Sequence, residues 1–109
     1  MAIDKTIDLK TGIDVTSRMS RVQARKVIAR VFHEVPNFLS FSKHGLHQMK
    51  ERNIRTGDIL NILKAGDIYQ DPELENGTYR YRVETHKMIV VIAFRKPNHI
   101  TVITAWRKS

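Results

Sequence analysis

Residues 41–54 read Phe41-Ser42-Lys43-His44-Gly45-Leu46-His47-Gln48-Met49-Lys50-Glu51-Arg52-Asn53-Ile54. The stretch follows a short apolar run, Phe38–Phe41, that suits a strand. From His44 to Asn53 the pattern is that of a short helix, with Gly45, Leu46 and Met49 turned inward. His44 and His47 are neighbours on such a helix. Arg52 follows His44 by a little over two turns and comes to the same side.

Thr56 reads as the cap of a second helix, and Asp58 in its first turn suits the helix dipole. Ile59, Leu60, Ile62 and Leu63 form its buried face, and Gly66 suits a C-terminal position of positive φ. The period then changes to two. Ile68–Gln70 reads as a strand ended by Pro72, and Asn76-Gly77 as a hairpin turn. In Thr78–Glu84, Tyr79, Tyr81 and Val83 share a core face, and Arg80, Arg82 and Glu84 share the other. Met88–Phe94 is apolar on both faces, as a central strand is. After a turn at Pro97-Asn98, His99–Trp106 is the last strand. Its alternation puts Ile100, Val102, Thr104 and Trp106 on one face, and Thr101, Ile103 and Ala105 on the other.

Upstream, residues 17–35 form the clearest helix. Ala24, Val27, Ile28, Val31, Phe32 and Val35 recur at helical spacing, with cap candidates between Asp14 and Ser17. Pro36 ends it. Arg18, Arg21 and Arg25 flank the apolar face and could follow a phosphate backbone. Residues 1–16 are an arm with apolar Ile3, Ile7, Leu9, Ile13 and Val15 and a weak edge-strand pattern at Thr6–Leu9. The chain thus reads as one domain: arm 1–16, helix 17–35, core 36–109. The class is α+β, with an N-terminal helix and short helices packed on an antiparallel sheet. The expected core is Val27, Ile28, Val31, Leu46, Met49, Leu60, Leu63, Val90, Ile92 and Val102.

The 109 residues carry 19 Lys and Arg against 11 Asp and Glu, a formal net charge of +8. Basic residues outnumber acidic ones on both sides of Pro36, so the excess is no detachable tail. Such a balance suits a polyanion partner, nucleic acid or an acidic protein. There is no cysteine, which removes disulfides, thiolate metal sites and thiol nucleophiles and fits a cytoplasmic setting. The charged N-terminus has no signal-peptide pattern, and no apolar run reaches membrane-spanning length.

These residue types suit RNA cleavage without a cofactor. The 2′-hydroxyl attacks the neighbouring phosphate, which needs a proton acceptor and a fixed cation. His serves the first because it titrates near neutrality. Arg serves the second because its planar fork stays charged and matches phosphate oxygens. His44, at a strand-to-helix junction where N–H groups favour anions, is the leading proton-transfer candidate. Arg52 lies on its side of the helix. Arg80 and Arg82 project from one strand face as a two-pronged clamp. His47, and His86 and Lys87 in an exposed hairpin, could contact substrate. No His-Glu-x-x-His pattern exists and no carboxylate is paired with His44 and His47, so no metal is expected. The same parts would also serve a non-catalytic nucleic-acid-binding module, or an antitoxin-like protein-binding module of a mobile element.

The run S-K-H-G-L-H-Q-M-K-E-R-N-I, followed by T-G-D-I-L-N-I-L-K-A-G-D-I, resembles a bacterial family of small uncharacterised domains. Their pattern is His-Ala, Arg-Met, Arg-Gly-Ile, a short helix, then a strand after Gly. They in turn resemble RelE and BrnT toxins and the barnase-like ribonuclease fold. The resemblance covers roughly residues 38–106. It implies an endoribonuclease toxin with RNA as substrate and an acidic antitoxin or immunity protein as partner. His44 and Arg52 match its polar signature. Gln48 stands where its first Arg would be, which shifts the cationic role to Arg82, and Asn53 stands for its turn Gly. The strand I-T-V-I-T-A-W resembles the family's terminal strand, which puts Thr104 near the site by analogy.

Overall fold

The computed structural model describes residues 5–109; Ile3 of the arm lies outside the described residues. Its elements are β1 (Ile7–Asp8), β2 (Ile13–Asp14), α1 (Arg21–Glu34), β3 (Leu39–Phe41), α2 (Lys43–Glu51), α3 (Thr56–Ala65), β4 (Glu73–Glu75), β5 (Thr78–Glu84), β6 (Met88–Lys96) and β7 (His99–Arg107). β1 and β2 pair as a small hairpin, and the other strands form one sheet of order β3-β7-β6-β5-β4. The α+β class holds, with one correction. β3 runs parallel to β7, so the sheet is mixed. The chain between them passes through two helices and three strands, and a long crossover permits parallel pairing.

β6 is the middle strand and is apolar on both faces. Met88, Val90, Ile92 and Phe94 enter the main core, while Ile89, Val91 and Ala93 belong to a smaller cluster on the opposite face. Ala24, Val27, Ile28 and Val31 of α1 and Ile59, Ile62 and Leu63 of α3 cover the main face. Leu46 corrects the expected core: it is 50% exposed. α2 packs against β7 through the stripe of Gly45 and Met49, and Leu46 lies off that stripe. A Cβ on Gly45 would sit 2.7 Å from the Ile103 carbonyl oxygen and 2.8 Å from that of Val102. Glycine is therefore what lets α2 lie so close to the strand.

Other differences are local. α1 begins at Arg21, because Ser20 caps it: its hydroxyl accepts from the Gln23 N–H, and Gln23 returns the bond to the Ser20 N–H. Thr56 is the first helical residue of α3, and Asp58 accepts from the Arg55 N–H at 2.9 Å. Gly66 is extended, φ −79°. It is there for space, since a Cβ would lie 2.7 Å from the Ile62 carbonyl oxygen. Ile68–Gln70 is not a strand. Asp67 makes one bridge with Glu84, and the edge strand forms after Pro72 as β4. The Asn76-Gly77 turn is as expected, with both residues at positive φ.

In β7 the alternation breaks. Val91 pairs with Thr104 and Ile92 with Val102, so Ile103 is one residue too many. This β-bulge breaks the period of two. Ile100, Val102 and Ala105 enter the main core, whereas Ile103 and Trp106 join the opposite cluster. Thr104 follows its partner Val91 to that opposite face. The strict alternation had put Thr104 and Trp106 with Val102.

The arginine stripe of α1 is engaged within the protein. Arg18 and Arg21 both reach Asp71, at 3.4 and 3.2 Å, and Arg25 donates through Nη2 to the Lys64 carbonyl at 2.9 Å. Arg30 pairs with the buried Asp8 at 3.3 Å and donates to the Pro97 carbonyl, tying the β1–β2 hairpin to the β6–β7 turn. The stripe is therefore not an open row of phosphate ligands.

Candidate functional site

The smaller apolar cluster on the second face of the sheet consists of strand residues alone. Above it stand the polar side chains of β5 and β7. Arg82 pairs in register with Val91, and Val91 with Thr104. Arg82 and Thr104 thus stand in one cross-strand row, with a short valine between them. The Arg82 guanidinium lies over the Trp106 ring, 5.6 Å from its centroid, a cation–π arrangement that holds the fork above the sheet. Arg80, Arg82, Thr104 and Trp106 line one shallow pocket, whose far rim is acidic. Glu75 lies 3.1 Å from Arg80, and Glu73 lies 3.7 Å from Arg82. The Arg82 contact is the longer and the Glu73 side chain is mostly exposed, so an incoming anion can compete for this arginine.

α2 packs on β7 next to this pocket. Its N-cap is Ser42, whose hydroxyl accepts from the Gly45 N–H and donates to the Ile103 carbonyl. That anchors the helix start on the bulge. Gln48 accepts a hydrogen bond from the Thr104 hydroxyl. Arg52 donates to the Ala105 carbonyl at 2.7 Å and reaches Gln48 Oε1 and Thr104 Oγ1 at 3.4 Å each. Arg52, Gln48 and Thr104 therefore form one polar cluster across the α2–β7 junction. His44 precedes Gln48 by one helical turn and shares its flank of α2. It is exposed, in the first turn of the helix.

Four expected residues thus share one side of the sheet: Arg52, Thr104, Arg82 and Arg80, with His44 on the adjoining helix flank. The other three are elsewhere. His47 points to solvent from α2, where its Nε2 lies 2.8 Å from Glu51. His86 and Lys87 sit in the β5–β6 hairpin and line a separate groove with Asn61, Arg107 and Lys108. Arg107 closes the end of α2 by donating to the Arg52 and Asn53 carbonyls at 2.5 and 2.9 Å. Asn53 takes φ 53° there, which explains how it stands in for a turn glycine.

Sequence reasoning missed two members. Trp106 was hidden by the bulge, since strict alternation assigned it to the core face. Gln48 read as a lost cation, whereas it is the acceptor that orients Thr104. Its spacing of four from both His44 and Arg52 was the available signal. Among the described residues no group of three or more His, Asp or Glu side chains is arranged to hold a metal ion, and no helix is long and apolar enough to cross a membrane.

The family described as "Domain of unknown function (DUF4258)" matches residues 41–107. That is more than half of the chain, and the protein belongs to this family. The match takes in α2, α3 and the sheet from β4 to β7, and leaves out the β1–β2 hairpin and α1. No curated protein and no solved structure matches the chain.

Proposed function

We propose that this DUF4258 domain is an endoribonuclease that binds single-stranded RNA across the second face of its sheet and cleaves it by 2′-hydroxyl transesterification. The observation that carries the reading is the row of Arg82 and Thr104 on one sheet face, with Arg52 within 3.4 Å of the Thr104 hydroxyl and His44 one turn before Gln48 on α2. A phosphate seated between Arg52 and Arg82 meets two permanent cations and a hydroxyl. Trp106 offers a ring on which a base can stack. The resemblance of the His44–Ile54 run to RelE- and BrnT-type toxins and barnase-like ribonucleases supports the same chemistry.

In the proposed reaction His44 accepts the proton of the 2′-hydroxyl, and the 2′-oxygen forms a bond to phosphorus. The bond to the 5′-oxygen breaks, and that oxygen takes a proton from water. The products are a 2′,3′-cyclic phosphate and a 5′-hydroxyl, and His44 returns its proton to solvent. Arg82 and Arg52 offset the charge on the phosphorane. Arg80, held closer to its glutamate, contributes to binding alone.

A second reading, a nucleic-acid-binding module without catalysis, is favoured by the uncharged Gln48 and the acidic rim at Glu73 and Glu75. One assay separates the two. Purified protein is incubated with oligoribonucleotides in excess chelator, and product ends are identified by mass. The proposal expects cyclic phosphate ends, and His44→Ala should slow their appearance by about 100- to 10,000-fold while RNA binding persists. Cleavage that His44→Ala leaves unchanged, or that chelator abolishes, refutes the assignment. Binding with no cleavage favours the second reading.

A further inference from the structure

On the helix side of the molecule, α1 carries a second stripe besides its buried one. Val22, Arg25, Lys26 and Ala29 recur at three- and four-residue intervals and, with Arg21, Asp67 and Ile68, line a groove of about 360 Å³. Val22 is 65% exposed, and Tyr69, next in sequence to Ile68, is 59% exposed. Two large apolar side chains thus face solvent beside a cleft whose floor is aliphatic.

The cations of this groove are not evenly satisfied. Arg21 is held by Asp71 at 3.2 Å. Arg25 donates through Nη2 to the Lys64 carbonyl at 2.9 Å, but its buried Nη1 has no hydrogen-bond partner. Lys26 is exposed, and no acidic group is paired with it among the described residues. Asp67 is the single acid in the lining.

From these observations we infer that the α1 groove docks an acidic peptide segment of a protein partner, one that carries a large apolar side chain beside its carboxylates. The apolar side chain covers Val22, Ala29 and Ile68, and a carboxylate pairs with the exposed Lys26 ammonium beside the Arg25 guanidinium. The lining carries three cations against one acid, Asp67, beside an aliphatic floor, which suits an anion that arrives with its own apolar cover. Nucleic acid fits less well. A phosphate would be pressed against three aliphatic side chains, and no aromatic ring forms the floor for a base. The inference is independent of the ribonuclease reading, because the groove lies on the helix side and shares no lining residue with the Arg82 pocket.

The test is selection of a random dodecapeptide library displayed on phage against the immobilised protein. Fluorescence anisotropy of the enriched peptides follows. Enriched sequences should combine Asp or Glu with a large apolar residue. Val22→Asp and Arg25→Ala should each weaken their binding by about tenfold or more, and Arg82→Ala should leave it unchanged. Val22 and Lys26 are exposed, so Lys26→Glu gives a second variant with a native circular dichroism spectrum should Arg25→Ala unfold the chain. Lack of enrichment over the Val22→Asp protein, enrichment of basic peptides, or equal affinity for the variants overturns the inference. So does displacement of the peptides by poly(U), which would assign the groove to nucleic acid.

Discussion

Arg82 is the residue on which the proposed chemistry leans hardest. It combines a permanent charge, a long carboxylate contact and a ring that orients it. Arg82→Ala should reduce RNA cleavage by about 100- to 1,000-fold, the range for a lost transition-state donor. Arg82→Lys should recover only part, because an ammonium lacks the planar fork and the stacking on Trp106. Steady-state rates with a fixed oligoribonucleotide read both. Tyr81 illustrates the opposite role. It is fully buried and its hydroxyl accepts from the Met19 N–H at 3.0 Å. Burial, partly offset by that backbone bond, raises its pKa above the usual 10. A phenol whose folded pKa is raised stabilises the fold fully below pH about 10 and loses that contribution as pH climbs through the folded value. Tyr81→Phe should therefore cost about 1–2 kcal/mol near neutral pH through the orphaned N–H. Its stability should also fall less than the wild type's above pH 10. Thermal midpoints across that range check both statements. The core role of Tyr81 was readable from alternation with Arg80 and Arg82. The partner of its hydroxyl was not, since Met19 is 62 residues away.

At the scale of elements, α2 is fixed by two short-range devices. Gly45 brings it against β7, and Ser42 ties its start to the bulge at Ile103. Gly45→Ala should destabilise the fold by about 1–3 kcal/mol, because the added methyl meets backbone oxygens that cannot yield. Gly57→Ala in α3 is the control. Its Cβ would meet nothing within 4 Å, so the substitution should be neutral or stabilising by up to about 1 kcal/mol. Chemical denaturation of the two variants decides between them. Helices and strands were readable here because periods of 3.6 and 2 follow directly from burial. The bulge was not. Ile103 and Thr104 are both good strand formers, and no glycine or proline marks the extra residue. Its cause is tertiary: α2 docks on β7 where the bulge offers the Ile103 carbonyl to Ser42. Thr104 and Trp106, which strict alternation misplaced, and Gln48, which read as a lost cation, all depend on that junction. The parallel β3–β7 pairing escaped for a similar reason, since nothing local encodes which edge a short strand joins.

Over the whole molecule, the charge of +8 overstates what is free to bind RNA. Arg18, Arg21, Arg30, Arg80 and Arg82 all lie within 4 Å of a carboxylate. If about three site cations meet phosphates, the logarithm of RNA affinity should fall with the logarithm of salt with a slope of about −2. Quenching of Trp106, the single tryptophan, gives the binding isotherms. A slope near zero would remove the sheet face as a phosphate-binding surface. Cleavage by the RNA's own 2′-hydroxyl at this face can be read from one oligonucleotide sequence in two forms, RNA and fully 2′-O-methylated RNA, incubated side by side with the wild-type protein. Both forms should bind, the RNA should be cut, and the methylated form should remain intact. Cleavage of both forms, or binding of both with no cleavage of either, would contradict the 2′-hydroxyl mechanism.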